Sequence, residues 1–599
     1  MLKGIPRWLA IGLFPVCLVL LAGSLQGQRT VSLVIEGGTL IDGNRGEPVE
    51  NALIVIEGNR IRAVGQKGSL SYPSDSQVIR ADGKFILPGL MDAHCHYRDW
   101  MPELTLTHGV TSIFEIGGGG EWGVAQREAI AQGKIAGPRL YVAVASLAGG
   151  RIAMLRGRRP EDQSLSSRMV VTSAEEASQV ARRIIEAGAD MIKVHRGPPV
   201  EVYRVAVEEA HRVGLPVVAQ PLGPTVYARE AVLAGVDGLE HAAGVHISIV
   251  KSPEKWKDFG YIEAHSLDPT PFVDMDERKA AELIQLMVER EVWLEPDFIA
   301  EGRGFHKNRD QFELQGYRLL NNPNLSYIPK ERRFKILDTY KEFDNLERSE
   351  WERRYQGYLN MLRFIRMFVE AGGMVLAGTD ASSWAVPGLA VHQEMQILVE
   401  EAGLTPMQAI LSATRNPAQG FRVLDRVGTI EPGKLADLII LSKDPLADIR
   451  NTMEIEQVIM DGKVVERGYH RWYRNPLPRR EVEGQRWLSA LKTITWRTTA
   501  FGQPTPGIES VFPAVITEGG PTLNLTVQGL NFTDRSAVDF NGVPVPTTLV
   551  SEKELGVTIP EELIAHVGAF PITVRNPHPF QDEKFGGSSN RAYLLVKYR

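Results

Sequence analysis

The sequence predicts an α/β protein: a (β/α)8 TIM barrel with a small β-sandwich domain built from both flanks, and a separate C-terminal β-sandwich. Three observations predict it. Eight short apolar runs alternate with helical patterns through the middle of the chain. Hairpin-rich stretches bracket that middle on both sides. A turn-rich, β-prone segment then follows residue 508. Strands alternating with helices favour parallel pairing, with both sheet faces covered and the strands reading as continuous apolar runs.

The order along the chain starts with residues 1–24, which have the layout of a signal peptide. Lys3 and Arg7 precede the apolar run Trp8–Ala22, and small Gly23 and Ser24 follow. That run is shorter than the ~20 residues needed to span a bilayer and is interrupted by Pro15. Export to the periplasm or the extracellular space is therefore expected, with no stable membrane span after leader removal. Cys17 would leave with the leader, so Cys95 alone would remain and no internal disulfide could form.

Residues 31–87 and 424–470 form the expected composite β-sandwich domain. Leu53–Ile56 and Arg60–Val64 flank the hairpin signal Gly58-Asn59, and Asp461-Gly462 turns into Lys463–Glu466. The barrel is expected over 88–423. Its strand candidates are Phe85–Leu90, Val110–Ile116, Arg139–Ala145, Asp190–Val194, Leu215–Ala219, Val236–Leu239, Val292–Glu295 and Met374–Ala377. Helical patterns such as Ala174–Ala187, Glu201–Val213 and Val226–Ala234 each end at a glycine, the residue a left-handed C-cap favours. A polar and aromatic stretch at 301–370 reads as a helical insertion able to form a lid or wall over the barrel mouth. Residues 471–507 are a linker containing one helical pattern, Val482–Thr495, and 508–599 form the last β-sandwich.

The composition is that of a packed globular protein: 599 residues, 43% apolar and 23% charged. Lys and Arg total 67 against 73 Asp and Glu, giving a formal charge of −6, so no basic surplus points to nucleic acid. A small-molecule substrate is the expected partner. The oligomeric state, a homo-oligomer included, stays open, as does the role of the C-terminal sandwich.

In such barrels chemistry sits at the C-terminal strand ends. Strand one ends in Asp92-Ala93-His94-Cys95-His96, where alternation puts both imidazoles on one face. Strand four ends in Lys193, strand six in His241 and strand eight in Asp380. Singly these read as a salt-bridged lysine, a core histidine and a helix cap. Jointly they read as a divalent-metal site. Arg151 and His246, with Arg98 and Arg303, lie near strand ends and are candidate carboxylate binders.

The run Ile86-Leu87-Pro88-Gly89-Leu90-Met91-Asp92-Ala93-His94-Cys95-His96 resembles the opening signature of the amidohydrolase superfamily. So do Ala187–Lys193, Ala377–Asp380, Ala413–Ala418 and Gly428–Asp437, over roughly residues 31–470, with the imidazolonepropionase-like and prolidase-like hydrolases as the nearest branch. The resemblance implies a TIM barrel in which His94, His96, Lys193, a strand-five histidine, His241 and Asp380 bind one or two divalent ions, zinc above all. It also implies that Lys193 can be carboxylated to N6-carboxylysine. Thr522–Phe532 and Gly586–Asn590 resemble an IPT/TIG-type domain, which implies an immunoglobulin-like (Ig-like) β-sandwich over 508–599. The chain departs from the family at strand five, where Gln220 stands in place of histidine and offers only an amide oxygen. Gln220 itself, or His195 on the same face as Lys193, is the remaining candidate for that position.

The expected function is metal-dependent hydrolysis of an amide-type C–N bond in a dipeptide, N-acyl amino acid or cyclic amide. Asp380 would be general base and then acid, with His241 assisting at the carbonyl oxygen. The rival reading is an exported binding protein whose second metal position Gln220 has disabled.

Overall fold

The computed structural model describes residues 32–149, 165, 167–256, 269–343, 346–381, 384–471, 473–475, 477–479, 506–576 and 587–598. The leader, Arg151 and the helical pattern Val482–Thr495 lie outside the described residues.

The barrel strands follow in chain order: Leu90–Cys95, Val110–Glu115, Arg139–Val142 continued by Ser146–Ala148, Ile192–Val194, Val217–Ala219, Gly238–Glu240 and Trp293–Glu295; the expected eighth strand, Met374–Ala377, is an extended segment with one parallel bridge, Val375 to Leu294, rather than a full strand. Neighbours pair in parallel from the first to the seventh, as covered apolar runs require. The eighth segment closes the ring. On one side Leu376 N donates to Leu294 O at 3.0 Å, and on the other Ala93 N donates to Ala377 O at 3.0 Å and His96 N to Ala381 O at 2.7 Å.

One expected strand divides differently. Phe85–Leu90 is not barrel strand one. Phe85–Pro88 pairs antiparallel with Leu438–Leu441 in the small domain, and the barrel strand begins at Leu90. Gly89 marks the crossing, where its N–H donates to Asp437 O at 2.9 Å and a Cβ would come within 2.2 Å of Thr111 Oγ1. Strand three is also broken, at Val144, whose φ of +61° interrupts the ladder.

The small domain draws on both flanks of the barrel. Its six-stranded sheet joins Thr39–Leu40, Val49–Glu50 and Phe85–Pro88 from one flank to Leu438–Leu441, Ile455–Met460 and Lys463–Val464 from the other, along the single seam between Phe85–Pro88 and Leu438–Leu441. Four further strands from residues 32–80 form the second sheet. Segments distant in sequence thus pin both ends of the barrel to one scaffold.

The insertion is helical, with Arg309–Leu320, Lys330–Asp338 and Arg348–Glu370 as its main pieces. The C-terminal sandwich rests on this insertion. Arg591 Nη1 lies 2.8 Å from Glu313 Oε2, a carboxylate with 1% side-chain exposure, and Lys330 Nζ lies 3.0 Å from Glu509 Oε1. Within the sandwich, the strand Leu523–Leu530 alternates buried and half-buried positions from Leu525 onward, as a strand with one face on a core must. No helix among the described residues is long and apolar enough to cross a membrane.

Removing one partner of a buried ion pair leaves the other charge desolvated and uncompensated, at a cost of about 3 kcal/mol or more. Arg591→Ala should therefore lower the melting transition of the C-terminal domain, measured by differential scanning calorimetry. An unchanged transition would show that the contact carries no such load.

Candidate active site

The C-terminal strand ends bring His94, His96, His241 and Asp380 together, as their positions in sequence imply. His96 Nε2 lies 2.7 Å from Asp380 Oδ1, and the His94 ring is 4.6 Å from that of His241 between centroids. Ligand atoms of His94, His96 and Asp380 all fall within 4.8 Å of one another. His94 is fully buried and its Nε2 has no hydrogen-bond partner, while Nδ1 is held 3.0 Å from Glu295 Oε2. A buried imidazole backed by a carboxylate on one nitrogen and orphaned on the other has the form of a metal ligand. Burial first, then the nearby His241 and Lys193, hold the His94 pKa well below its usual value. The ring is therefore neutral, as ligation requires.

Backbone strain marks the same rim. His241, Ala242, Asp297 and Asp380 take φ values of +57°, +50°, +49° and +46°, a left-handed conformation that is uncommon outside glycine. Such strain persists only where the surroundings enforce it, and it clusters at functional sites. Two glycines make room for the side chains. A Cβ at Gly117 would lie 1.7 Å from His96 Nδ1, and one at Gly378 would lie 1.6 Å from Glu295 Oε1 and 2.5 Å from Asp297 Oδ1.

Asp380 is buried, yet His96, His241 and Lys193 outweigh that burial and hold its carboxyl below the ordinary value. Burial pulls the His241 imidazole down, but Asp297, Glu301 and Asp380 reverse this and lift it to about 9. Burial and then Asp297 push the Glu295 carboxyl well up.

The remaining expected residues have different surroundings. Lys193 is buried and its Nζ lies 2.8 Å from Glu240 Oε2, the partner that lets a lysine stay in the barrel interior. Gln220 is buried at the end of strand five, its N–H bonded to Val194 O at 2.9 Å. His195 is half-buried and donates its N–H to Leu147 O at 2.7 Å, and its ring nitrogens do not join His94, His96 and Asp380 within 4.8 Å. His246 packs its ring 5.9 Å from that of Phe272, and burial lowers it to about 4. Arg98 donates to Tyr97 O at 2.9 Å. Arg303 lies between the Phe343 and Trp384 rings, 5.2 and 4.7 Å from their centroids. Lys335, on the insertion helix Lys330–Asp338, stands 5.1 Å from the Trp384 ring centroid and senses the charges of Asp380 and Arg98. The insertion thus supplies one wall of the mouth.

Sequence reasoning missed the acidic turn after strand seven. Glu295, Asp297 and Glu301 all face the histidines. Asp297 Oδ2 is 2.8 Å from His241 Nδ1 and 3.4 Å from His94 Nδ1, and Glu301 Oε1 is 3.4 Å from His241 Nδ1. Glu394 fixes the turn by accepting from Phe298 N at 3.1 Å and Ile299 N at 2.7 Å. The signal was present in Glu295-Pro296-Asp297-Phe298-Ile299-Ala300-Glu301, where three acids interrupt an apolar stretch at a strand end.

Comparison with known proteins fits this geometry. The amidohydrolase family model matches residues 85–465. The chain belongs to the amidohydrolase family. It is thereby a metal-dependent hydrolase of carbon–nitrogen bonds, and the donors around His94 Nε2 fit a divalent ion. An IPT/TIG domain matches residues 506–592. The ochratoxinase of Aspergillus niger is 24% identical over 481 residues, covering 71% of this chain and 84% of that protein. Its crystal structure superposes with a TM-score of 0.53 at 22% identity, over 75% of this chain and 99% of that one. A Xaa-Pro dipeptidase with methionine bound in its active site gives a TM-score of 0.53 at 24% identity, over 73% of this chain and all of that one.

Gly117→Ala keeps an accessible backbone conformation but drives a methyl into the His96 ring. It should weaken metal binding about tenfold or more, the range typical for losing ligand support, as read by competition with a chromogenic chelator. Unaltered affinity would mean that His96 is not a ligand.

Proposed function

We propose that this chain is an exported amidohydrolase, with zinc at its first metal position, that cleaves an amide bond in a small substrate bearing a carboxylate. Dipeptides, N-acyl amino acids and cyclic amides are the candidate classes. The observation that carries the reading is the buried Asp380 carboxylate, 2.7 Å from His96 Nε2 and grouped with His94, whose Nε2 is orphaned.

A divalent ion in such a site supplies Lewis-acid polarisation of the scissile carbonyl and makes water a nucleophile near neutral pH. His94 and His96 would hold it with Asp380. His96, His241 and Lys193 outweigh its burial and hold the Asp380 carboxyl below its ordinary value, so it can take a proton from water and return it to the leaving nitrogen. His241 lies within the same few ångströms and is placed to steady the carbonyl oxygen. Rim cations orient the substrate. Lys335 and Arg98 stand close enough to interact, near Asp380, and suit a carboxylate on one side of the amide. The Xaa-Pro dipeptidase among the similar structures supports a dipeptide.

Export rests on the leader pattern of Lys3, Arg7 and Trp8–Ala22, and places the reaction in the periplasm or outside the cell.

The test is hydrolysis of a dipeptide and N-acyl amino acid panel by zinc-loaded protein, with Asp380→Asn beside it. Wild type should turn over at least one class. The variant should lose about 10²–10⁴-fold in kcat while still binding an ion through its histidines. Equal turnover by the variant would remove Asp380 from the mechanism, and no turnover across the panel would remove the substrate assignment.

A further inference from the structure

The C-terminal sandwich meets the rest of the chain at the insertion helices that form one wall of the barrel mouth. We propose that it is a working part of that mouth: docked on helices Arg309–Leu320 and Lys330–Asp338, it holds Lys335 where the carboxylate of the substrate is received. The proposal rests on the function proposed above for the carboxylate, whereas the docking stands on geometry alone.

Four observations carry it. First, the contact has two points. Arg591 Nη1 lies 2.8 Å from the buried Glu313 Oε2, and the Tyr593 ring meets that of Tyr317 edge-on, 6.5 Å between centroids. At the other point Lys330 Nζ lies 3.0 Å from Glu509 Oε1, and a Cβ on Gly507 would fall 2.6 Å from Phe334 Cζ, so that ring lies against bare backbone. Second, the two points are fastened together. The Asn590 side chain accepts from Ile508 N at 2.8 Å and donates to Ile508 O at 2.9 Å, tying the strand Gly507–Phe512 to the neighbour of Arg591. Third, helix geometry carries the contact inward. Lys330 and Phe334 are four residues apart and share one face, toward the sandwich. Lys335 is turned from Phe334 by about 100° and stands at the mouth, 5.1 Å from the Trp384 ring centroid. Fourth, both helices grip the segment that follows Asp380. Lys335 meets Trp384, and a Cβ on Gly316 would lie 3.3 Å from Val386 Cγ2.

A lysine ammonium rides on a flexible four-carbon stem, so it binds a carboxylate well only if the helix beneath it is fixed beforehand. The sandwich supplies that fixing. Arg591 is thus a positioning residue that acts through Lys335, and its loss should weaken substrate binding while leaving bond cleavage unchanged.

The experiment compares full-length, zinc-loaded wild type with Arg591→Ala, below the melting transition of the variant. The probe is the dipeptide or N-acyl amino acid that wild type hydrolyses fastest. The variant should raise KM about tenfold with kcat and bound zinc unchanged, the pattern of binding lost equally in ground and transition states. On a Lys335→Met background, Arg591→Ala should change KM by about twofold or less, because the side chain through which it acts is gone. Hydrogen–deuterium exchange, which needs no substrate, should quicken in residues 330–338 and 380–388 of Arg591→Ala and stay unchanged in the barrel strands. Should that variant fold poorly, Lys330→Glu, which sets like charges face to face at an exposed pair, should give the same changes more weakly. Unaltered KM and exchange, an equal rise in KM on the Lys335→Met background, or a fall in kcat or bound zinc without a rise in KM would overturn the proposal. No hydrolysis across the panel would remove the proposed function, and exchange in 330–338 and 380–388 would then decide the docking by itself.

Discussion

The structure depends on concentrating negative charge and imidazole nitrogen in a dry barrel mouth. Asp92, His94, Glu240, His241, Glu295, Asp297, Glu301, Asp380 and Glu394 are all buried within or beside one cluster. Removing a lone carboxylate from water costs several kcal/mol, so such a cluster survives only if protons, a lysine or metal ions compensate it. Lys193 meets Glu240, burial keeps Glu394 and Asp92 toward their neutral forms, and the remaining nitrogens and oxygens fit a divalent ion.

The rest of the molecule reads as support for that cluster. The composite sheet domain clamps the start and end of the barrel through the pairing of Phe85–Pro88 with Leu438–Leu441. The barrel then holds the left-handed backbone at His241, Asp297 and Asp380, conformations costing of order 1–3 kcal/mol each that an isolated loop would relax. The insertion brings Arg303 and Lys335 to the rim, and the C-terminal sandwich braces the insertion through Arg591 and Glu313.

Much of this was legible in the sequence because barrel chemistry obeys a periodic rule. Alternation along an extended strand put His94 and His96 on one face, and polar residues ending apolar runs exposed Lys193, His241 and Asp380. The helices were equally readable, as with Ser173 capping Ala174–Glu186 by accepting from Glu176 N. Two features escaped. Phe85–Leu90 reads as one apolar run, so the crossing at Gly89 from small domain to barrel left no trace in hydrophobicity. Asp297 and Glu301 lie past the end of strand seven, on a four-residue helical turn. Their direction is set by Glu394, nearly a hundred residues away, rather than by any local period.

The central claim is that strand ends far apart in sequence meet around a bound cation. Anomalous diffraction at the zinc edge, from crystals of the zinc-loaded protein, tests it most directly. The account predicts a peak at bonding distance from His94 Nε2, His96 Nε2 and Asp380. A protein that takes up zinc only at its surface, with no peak among those three side chains, would contradict it.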